Sequence, residues 1–341
     1  MSCPRNELAV VRPLSDFSLP KRRTSSPTLV LPRVFLGRIA LGQTPPPAQP
    51  DDPAVFTSDT KLVALHVSVI DKGGKLITNI PQSAFKVFED NVEQPLKIFN
   101  REDVPVSMGI IIDNSGSMRE KRPKVAAAAL ELIKDSNPQD EVFIVDFNDV
   151  AYLDAPFTNN IKKLEQVLDK IDTRGGTAMR DAISMSIDYA KENGKKSKKV
   201  LLVITDGNDN TSNETLEQLV RKAHQSEVLI YCIGLLNEEE PREARAAKRA
   251  LNELATVSGG LAYYPKSLSE VESITPQIAH EIRNQYILAY TPTNAILDGK
   301  FRAIRVTVKA PGNPTVRTRN GYYATPNPPA KPAKQSSPGD K

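Results

Sequence analysis

Apolar side chains alternate with other residues from Leu62 to Ile70: Val63, Leu65, Val67 and Val69 are interleaved with Leu62, Ala64, His66 and Ser68. This period of two predicts a strand, and Asp71-Lys72-Gly73-Gly74 supplies a turn after it. Ala84–Phe88 and Leu96–Phe99, set around the turn pair Asp90-Asn91, read as further short strands. Residues 59–101 therefore form a small β unit. After Pro105 the grammar changes. A continuous apolar run, Val106–Ile112, stops abruptly at Asp113-Asn114-Ser115-Gly116-Ser117, and a helical segment follows from about Lys121 to Asp135. Further strands are expected at Val142–Phe147, Val200–Thr205, Leu229–Ile233 and Leu261–Tyr264, with helices at about 178–192, 213–225, 243–257 and 268–284.

Apolar strands alternating with amphipathic helices predict βαβ units. The expected fold is thus α/β: a doubly wound, mostly parallel sheet with helices on both faces, plus a small β unit from the flanking segments. Gln285–Tyr290, Phe301–Lys309 and Thr315–Arg319 return to the β pattern. The expected organisation is a small β unit at 57–103 that 284–323 can complete, around an inserted α/β domain at 104–283. Residues 1–56, with Pro45-Pro46-Pro47, Pro50 and Pro53, and residues 324–341, with five prolines from Pro326 to Pro338, have compositions that bury too little to fold. They are expected to be disordered ends.

Composition narrows the function classes. The chain is 39% hydrophobic and 25% charged, enough to build a core. Its net charge of +4, from 45 basic and 41 acidic residues, gives no support to nucleic-acid binding. The cluster Lys195, Lys196, Lys198 and Lys199 precedes a strand and reads as a solvated loop. Cys3 and Cys232 make no disulfide framework, and Cys232 lies in an apolar run that marks it as a core residue. No stretch reaches the roughly 18 apolar residues of a membrane span. Lys21-Arg22-Arg23, a mildly apolar run to Leu41 and a proline-rich stretch follow one another in a secretory order, although Pro32, Arg33, Gly37 and Arg38 interrupt the run. An extracytoplasmic or secreted location is expected, with the cytoplasm as the alternative.

In an open parallel sheet, ligands bind beyond the carboxyl ends of the strands. Three segments put oxygen side chains there: Asp113, Ser115 and Ser117 after the first strand, Thr177 after Arg174-Gly175-Gly176, and Asp206 before Gly207. Alternate residues of an extended turn share one side, and Gly116 lets the backbone bend close. Carboxylates and hydroxyls without histidine or cysteine are the donors for a hard cation, Mg²⁺ or alternatively Mn²⁺ or Ca²⁺.

The set Asp113-x-Ser115-x-Ser117, Thr177 and Asp206-Gly207 resembles the metal-ion-dependent adhesion site of von Willebrand factor type A domains. The resemblance covers residues 104–283. The flanks, Phe85–Asp90 and Gly321-Tyr322-Tyr323, are similar to a bacterial group of related proteins. The resemblance implies one ion held by these five residues and completed by an acidic side chain, Asp or Glu, of a protein partner. It also implies a terminal helix, here Ser267–Arg283, able to shift when the site fills. Asn114, Met118, Arg174, Asp181, Asn208 and Asp209 are expected at the rim that meets the partner. The catalytic alternative is a metal-dependent hydrolase or phosphoryl-transfer enzyme with Asp113 as nucleophile. His66, His224 and His280 all lie outside the motif segments, so the chain is expected not to be an enzyme. A domain that the ion merely stabilises is the structural alternative.

Overall fold

The alternation at the start of the folded chain produces β1 (Val63–Ile70), followed by β2 (Phe85–Glu89), β3 (Val92–Gln94) and β4 (Leu96–Asn100). The structure is a computed structural model that describes residues 62–101, 103–170 and 173–326. The expected disorder of 1–56 and of most of the C-terminal tail lies outside these residues. Asp90 and Asn91 both adopt positive φ, 46° and 67°, between the paired residues Glu89 and Val92. That is the geometry of a two-residue hairpin loop matching the strand twist, and Asp and Asn tolerate it better than other non-glycine residues.

The inserted segment gives β5 (Val106–Asp113), α1 (Arg122–Lys134), β6 (Glu141–Phe147), β7 (Ala151–Thr158), α2 (Ile161–Leu168) and α3 (Met179–Asn193). It continues with β8 (Lys198–Thr205), α4 (Leu216–Ser226), β9 (Leu229–Gly234), α5 (Pro241–Ser258), β10 (Ala262–Tyr263) and α6 (Leu268–Arg283). The sheet order is β10-β9-β8-β5-β6-β7, parallel except for the antiparallel edge strand β7. Alternate residues of each central strand enter opposite cores. Ile110, Ile112, Leu202, Ile204 and Tyr231 pack with α1, α2 and α6, whereas Ile111, Val145, Leu201, Val203 and Cys232 pack with α3, α4 and α5. This is why the strands read as unbroken apolar runs: both faces are covered. Each such buried aliphatic side chain contributes roughly 1.5–3 kcal/mol.

After α6 the chain returns as β11 (Tyr286–Tyr290), β12 (Phe301–Val308), β13 (Thr315–Arg317) and β14 (Gly321–Tyr323). Two four-stranded sheets, ordered β13-β1-β11-β4 and β14-β12-β2-β3, combine strands from before and after the insertion. Val63, Leu65 and Leu288 from one sheet pack with Val87, Ile304 and Val306 from the other. Ala324, buried at 3% exposure and donating to the Lys300 carbonyl, belongs to this core, so the folded chain continues past residue 323.

Strand succession reverses at β5, which lies between β8 and β6. The crevice beyond the carboxyl ends of β5 and β8 is therefore the switch point where a doubly wound sheet accepts a ligand.

Candidate metal centre

Asp113 is the last residue of β5, and Asp206 follows directly after β8. Both are fully buried. Asp113 Oδ1 accepts from the Ser115 amide at 2.8 Å, and its Oδ2 accepts from the Thr205 hydroxyl at 2.6 Å. Ser115 Oγ lies 3.1 Å from Ser117 Oγ, which donates to Asp206 Oδ1 at 2.9 Å. Four of the five expected ligand residues are thus joined in one chain of short contacts. Burial pushes the Asp113 carboxyl up to about 6, against the hydrogen bonds from Thr205 and Ser115 that favour its charge. A buried carboxylate in this state gains from an adjacent cation.

Thr177 reaches the site on a second loop. The Gly116 amide donates to the Gly175 carbonyl at 3.2 Å, and the Arg174 amide donates to the Asn114 carbonyl at 2.8 Å. Thr177 itself is held by its backbone: its amide donates to Asn210 Oδ1 at 2.9 Å, and its carbonyl accepts from the Asn210 amide. Its hydroxyl is not part of the contact chain that joins the other four residues.

Two glycines make this approach possible. Gly175 has φ +76°, and a Cβ there would lie 2.3 Å from Asp149 Oδ2; a Cβ on Gly176 would meet Thr211 at 2.7 Å. Asp149 Oδ1 in turn accepts from the Gly176 amide at 2.7 Å. Gly175→Ala is expected to cost about 1–2 kcal/mol from the left-handed backbone alone, and more from the clash. Matched chemical denaturation of the variant and the parent checks this, and equal stability would contradict it.

Lysine 121 was not anticipated as part of the site. Its Nζ contacts Asp206 Oδ2 at 2.7 Å and Glu238 Oε2 at 2.8 Å, with the lysine side chain 8% exposed and the glutamate 77%. Burial disfavours the ammonium, but the bonds to Asp206 and Glu238 outweigh it and raise the lysine pKa. Glu238 belongs to the 3-10 turn Leu236–Glu238 after β9.

Of the expected rim residues, Met118 and Asn114 are buried, and Asp181 and Asp209 are partly buried and engaged in loop contacts. Met118 is fully buried in the core under α1, because the 3-10 turn Gly116–Met118 swings it inward. Asn114 is 1% exposed, donating to Asp146 Oδ2 at 2.8 Å and accepting from Arg122 Nε at 3.1 Å. Asp209 pairs with Arg180 at 2.8 Å and accepts from Ser212, with a side chain only 5% exposed. Asp181 accepts from the amides of Asn213 and Glu214 and anchors the loop before α4. Arg174 stays exposed, and Asn208 is half-buried with its amide on Glu243 at 2.8 Å.

Among the described residues, no group of three or more His, Cys, Asp or Glu side chains is placed to hold a metal. A cation at this site would therefore rest on two carboxylates and neighbouring hydroxyls. That all-oxygen donor set suits a hard divalent ion and gives softer metals no preference.

A doubly wound sheet with an oxygen-lined crevice at its switch point defines the class. Residues 108–277 match the model of the von Willebrand factor type A domain, so the chain contains a domain of that family of interaction modules. The von Willebrand factor type A protein from Catenulispora acidiphila is 14% identical over 79% of this chain and 75% of its own, with a TM-score of 0.45. The PilB minor pilin from Streptococcus sanguinis is 12% identical over 53% of this chain, with a TM-score of 0.46, and this chain spans 62% of that pilin's length. The vWF domain of the type V pili tip protein Mfa5 from Porphyromonas gingivalis is 13% identical over 53% of this chain and 97% of its own, with a TM-score of 0.43. No curated protein sequence matches the chain.

Proposed function

We propose that this protein binds a protein partner through a divalent cation, Mg²⁺ or Mn²⁺, held by Asp113, Ser115, Ser117, Thr177 and Asp206. The observation that carries this reading is the short contact chain Ser115–Ser117–Asp206 at 3.1 and 2.9 Å, beside the buried Asp113 at the switch point. When bound, the cation supplies a Lewis-acidic position for an Asp or Glu of the partner. The protein's own residues do the rest. Asp113 and Asp206 provide negative charge, Thr205 and the Ser115 amide fix the Asp113 carboxylate, and Gly175-Gly176 bring Thr177 close. Exposed Arg174 and half-buried Asn208 are left to contact the partner.

Binding is favoured over catalysis by the placement of proton-transfer groups. His66 lies in β1, His280 in α6, and His224 in α4 packs 4.9 Å from the Phe301 ring. Turnover at Asp113 would need a positioned acid or base. No helix among the described residues is long and apolar enough to cross a membrane. We place the protein outside the cytoplasm on the secretory order of its N-terminal segment.

The test is calorimetric titration of Mg²⁺ and Mn²⁺ into the full chain, with and without added glutamate. Saturable binding to the parent, and none to Asp113→Ala at equal folded content, is the expected result. No binding even with glutamate present would refute the cation reading.

A further inference from the structure

The residue at the N-cap of α1 is Lys121. Ser, Thr, Asp and Asn are preferred there, and the positive end of the helix dipole opposes a cation. Helix chemistry therefore gives no reason for a lysine at this position. Its side chain makes no cap and instead turns back, almost completely buried, onto Asp206 and Glu238. The lysine thus occupies one oxygen of a carboxylate whose other oxygen accepts from Ser117.

We propose that Lys121 is a resident counter-charge that makes the cation and the partner's carboxylate bind as a pair, an inference that rests on the cation reading above. The two buried carboxylates, Asp113 and Asp206, carry two negative charges and the buried Lys121 one positive charge, while Glu238 pairs with Lys121 from the solvent side of this buried group. A divalent ion leaves this group with one net positive charge, and one incoming carboxylate neutralises it. Without the lysine, the ion alone would neutralise the site, and a carboxylate would arrive at no net attraction. The lysine therefore weakens binding of the ion by itself and strengthens binding of the anion that follows. An ammonium and a divalent ion sharing one carboxylate at the edge of a protein repel strongly enough to change an affinity by roughly tenfold or more. Linkage then requires the carboxylate to tighten the ion by the same factor that the ion tightens the carboxylate.

The experiment is Mn²⁺ titration by calorimetry on the full chain, with and without saturating acetate, for the parent, Lys121→Gln and Lys121→Arg, each checked by thermal melting. Lys121→Gln is expected to bind Mn²⁺ about tenfold more tightly than the parent without acetate, and to lose most of the tightening that acetate gives. Lys121→Arg, which keeps the charge, is expected to stay near the parent in both respects. A lysine that only supported the fold would give the opposite sign, a lower melting temperature with weaker Mn²⁺ binding. Parent binding with equal or weaker affinity in Lys121→Gln, or with an undiminished acetate effect, overturns this inference alone. Absence of Mn²⁺ binding in all three proteins, with and without acetate, overturns the cation reading and this inference with it.

Discussion

Glu281→Ala is expected to destabilise the protein by roughly 3–5 kcal/mol. Glu281 lies in the last turn of α6 and is 5% exposed. Its Oε1 accepts from Ser68 of β1 at 3.0 Å and from Tyr231 of β9 at 2.8 Å, and it pairs with Arg317 of β13. Gln285 closes the network by donating to Ser68 at 3.1 Å and to Tyr231 at 3.2 Å. One carboxylate therefore ties the parallel sheet, its terminal helix and the flanking β unit together. Alanine would leave the Arg317 guanidinium, 16% exposed, without its counter-ion, and that uncompensated charge dominates the cost. A fall of about 10 °C in melting temperature is the corresponding signal for a protein of this size. Glu281→Gln, which keeps an acceptor but not the charge, is expected to fall between. A melting temperature within about 2 °C of the parent for the alanine variant would show that the network contributes little.

The same network bears on any movement of α6. This helix packs on α1 in the core beneath the switch point, through Val271, Ile274 and Ile278. Sliding it along α1 would break the bonds from Glu281 to β1, β9 and β13. A ligand that moved α6 would have to offset a cost of that order through its differential affinity for the two positions. The shift that family resemblance implies for Ser267–Arg283 therefore meets, in this chain, a clamp supplied by the β unit.

Periodicity and local motif carried most of the α/β fold. The period of two in β1 and the two-sided burial of β5, β8 and β9 are local properties of the chain, and each shows in its sequence pattern. β7 and α2 received no expectation, for a physical reason. β7 is an antiparallel edge strand whose Tyr152 and Leu153 are exposed, whose Asp154 and Pro156 interrupt the pattern, and whose register with β6 shifts twice. Such a strand buries too little to impose a period. α2 is eight residues long, with only Leu164 and Leu168 buried, so its stripe is barely two turns.

Within the site, the spacing Asp113-x-Ser115-x-Ser117 is local and legible. The inward turn of Met118, the burial of Asn114 against Asp146 and Arg122, and the contact of Lys121 with Asp206 depend on a 3-10 turn and on partners far along the chain. A lysine close behind the serine motif was the one available signal for the last of these. The basic cluster 195–199 was likewise misread as uniformly solvated: Lys198 is 2% exposed. β8 starts at that residue and carries it beneath α6, where its ammonium contacts the Ile282 carbonyl at the helix end.

Lys198 gives the second large effect, a pH dependence of stability. Burial pulls its pKa down to about 7, against the attraction of Glu281, Asp103 and Asp140. In the unfolded chain the same amine titrates near 10.4. Between these values the unfolded state binds more protons than the folded one, so stability rises with pH across the window and is lost again as pH falls through 7. The linked gain between pH 7 and 9.5 is about 3 kcal/mol. In Lys198→Met this term is gone, while the carboxylates and tyrosines of the protein titrate as before. The difference in unfolding free energy between parent and variant is therefore expected to shift by about 3 kcal/mol in the parent's favour from pH 7 to pH 9.5, read from urea titrations at matched ionic strength. Parallel stability curves for the two proteins would mean that Lys198 keeps its proton in the folded state, with the Ile282 carbonyl and the nearby carboxylates compensating its burial in full.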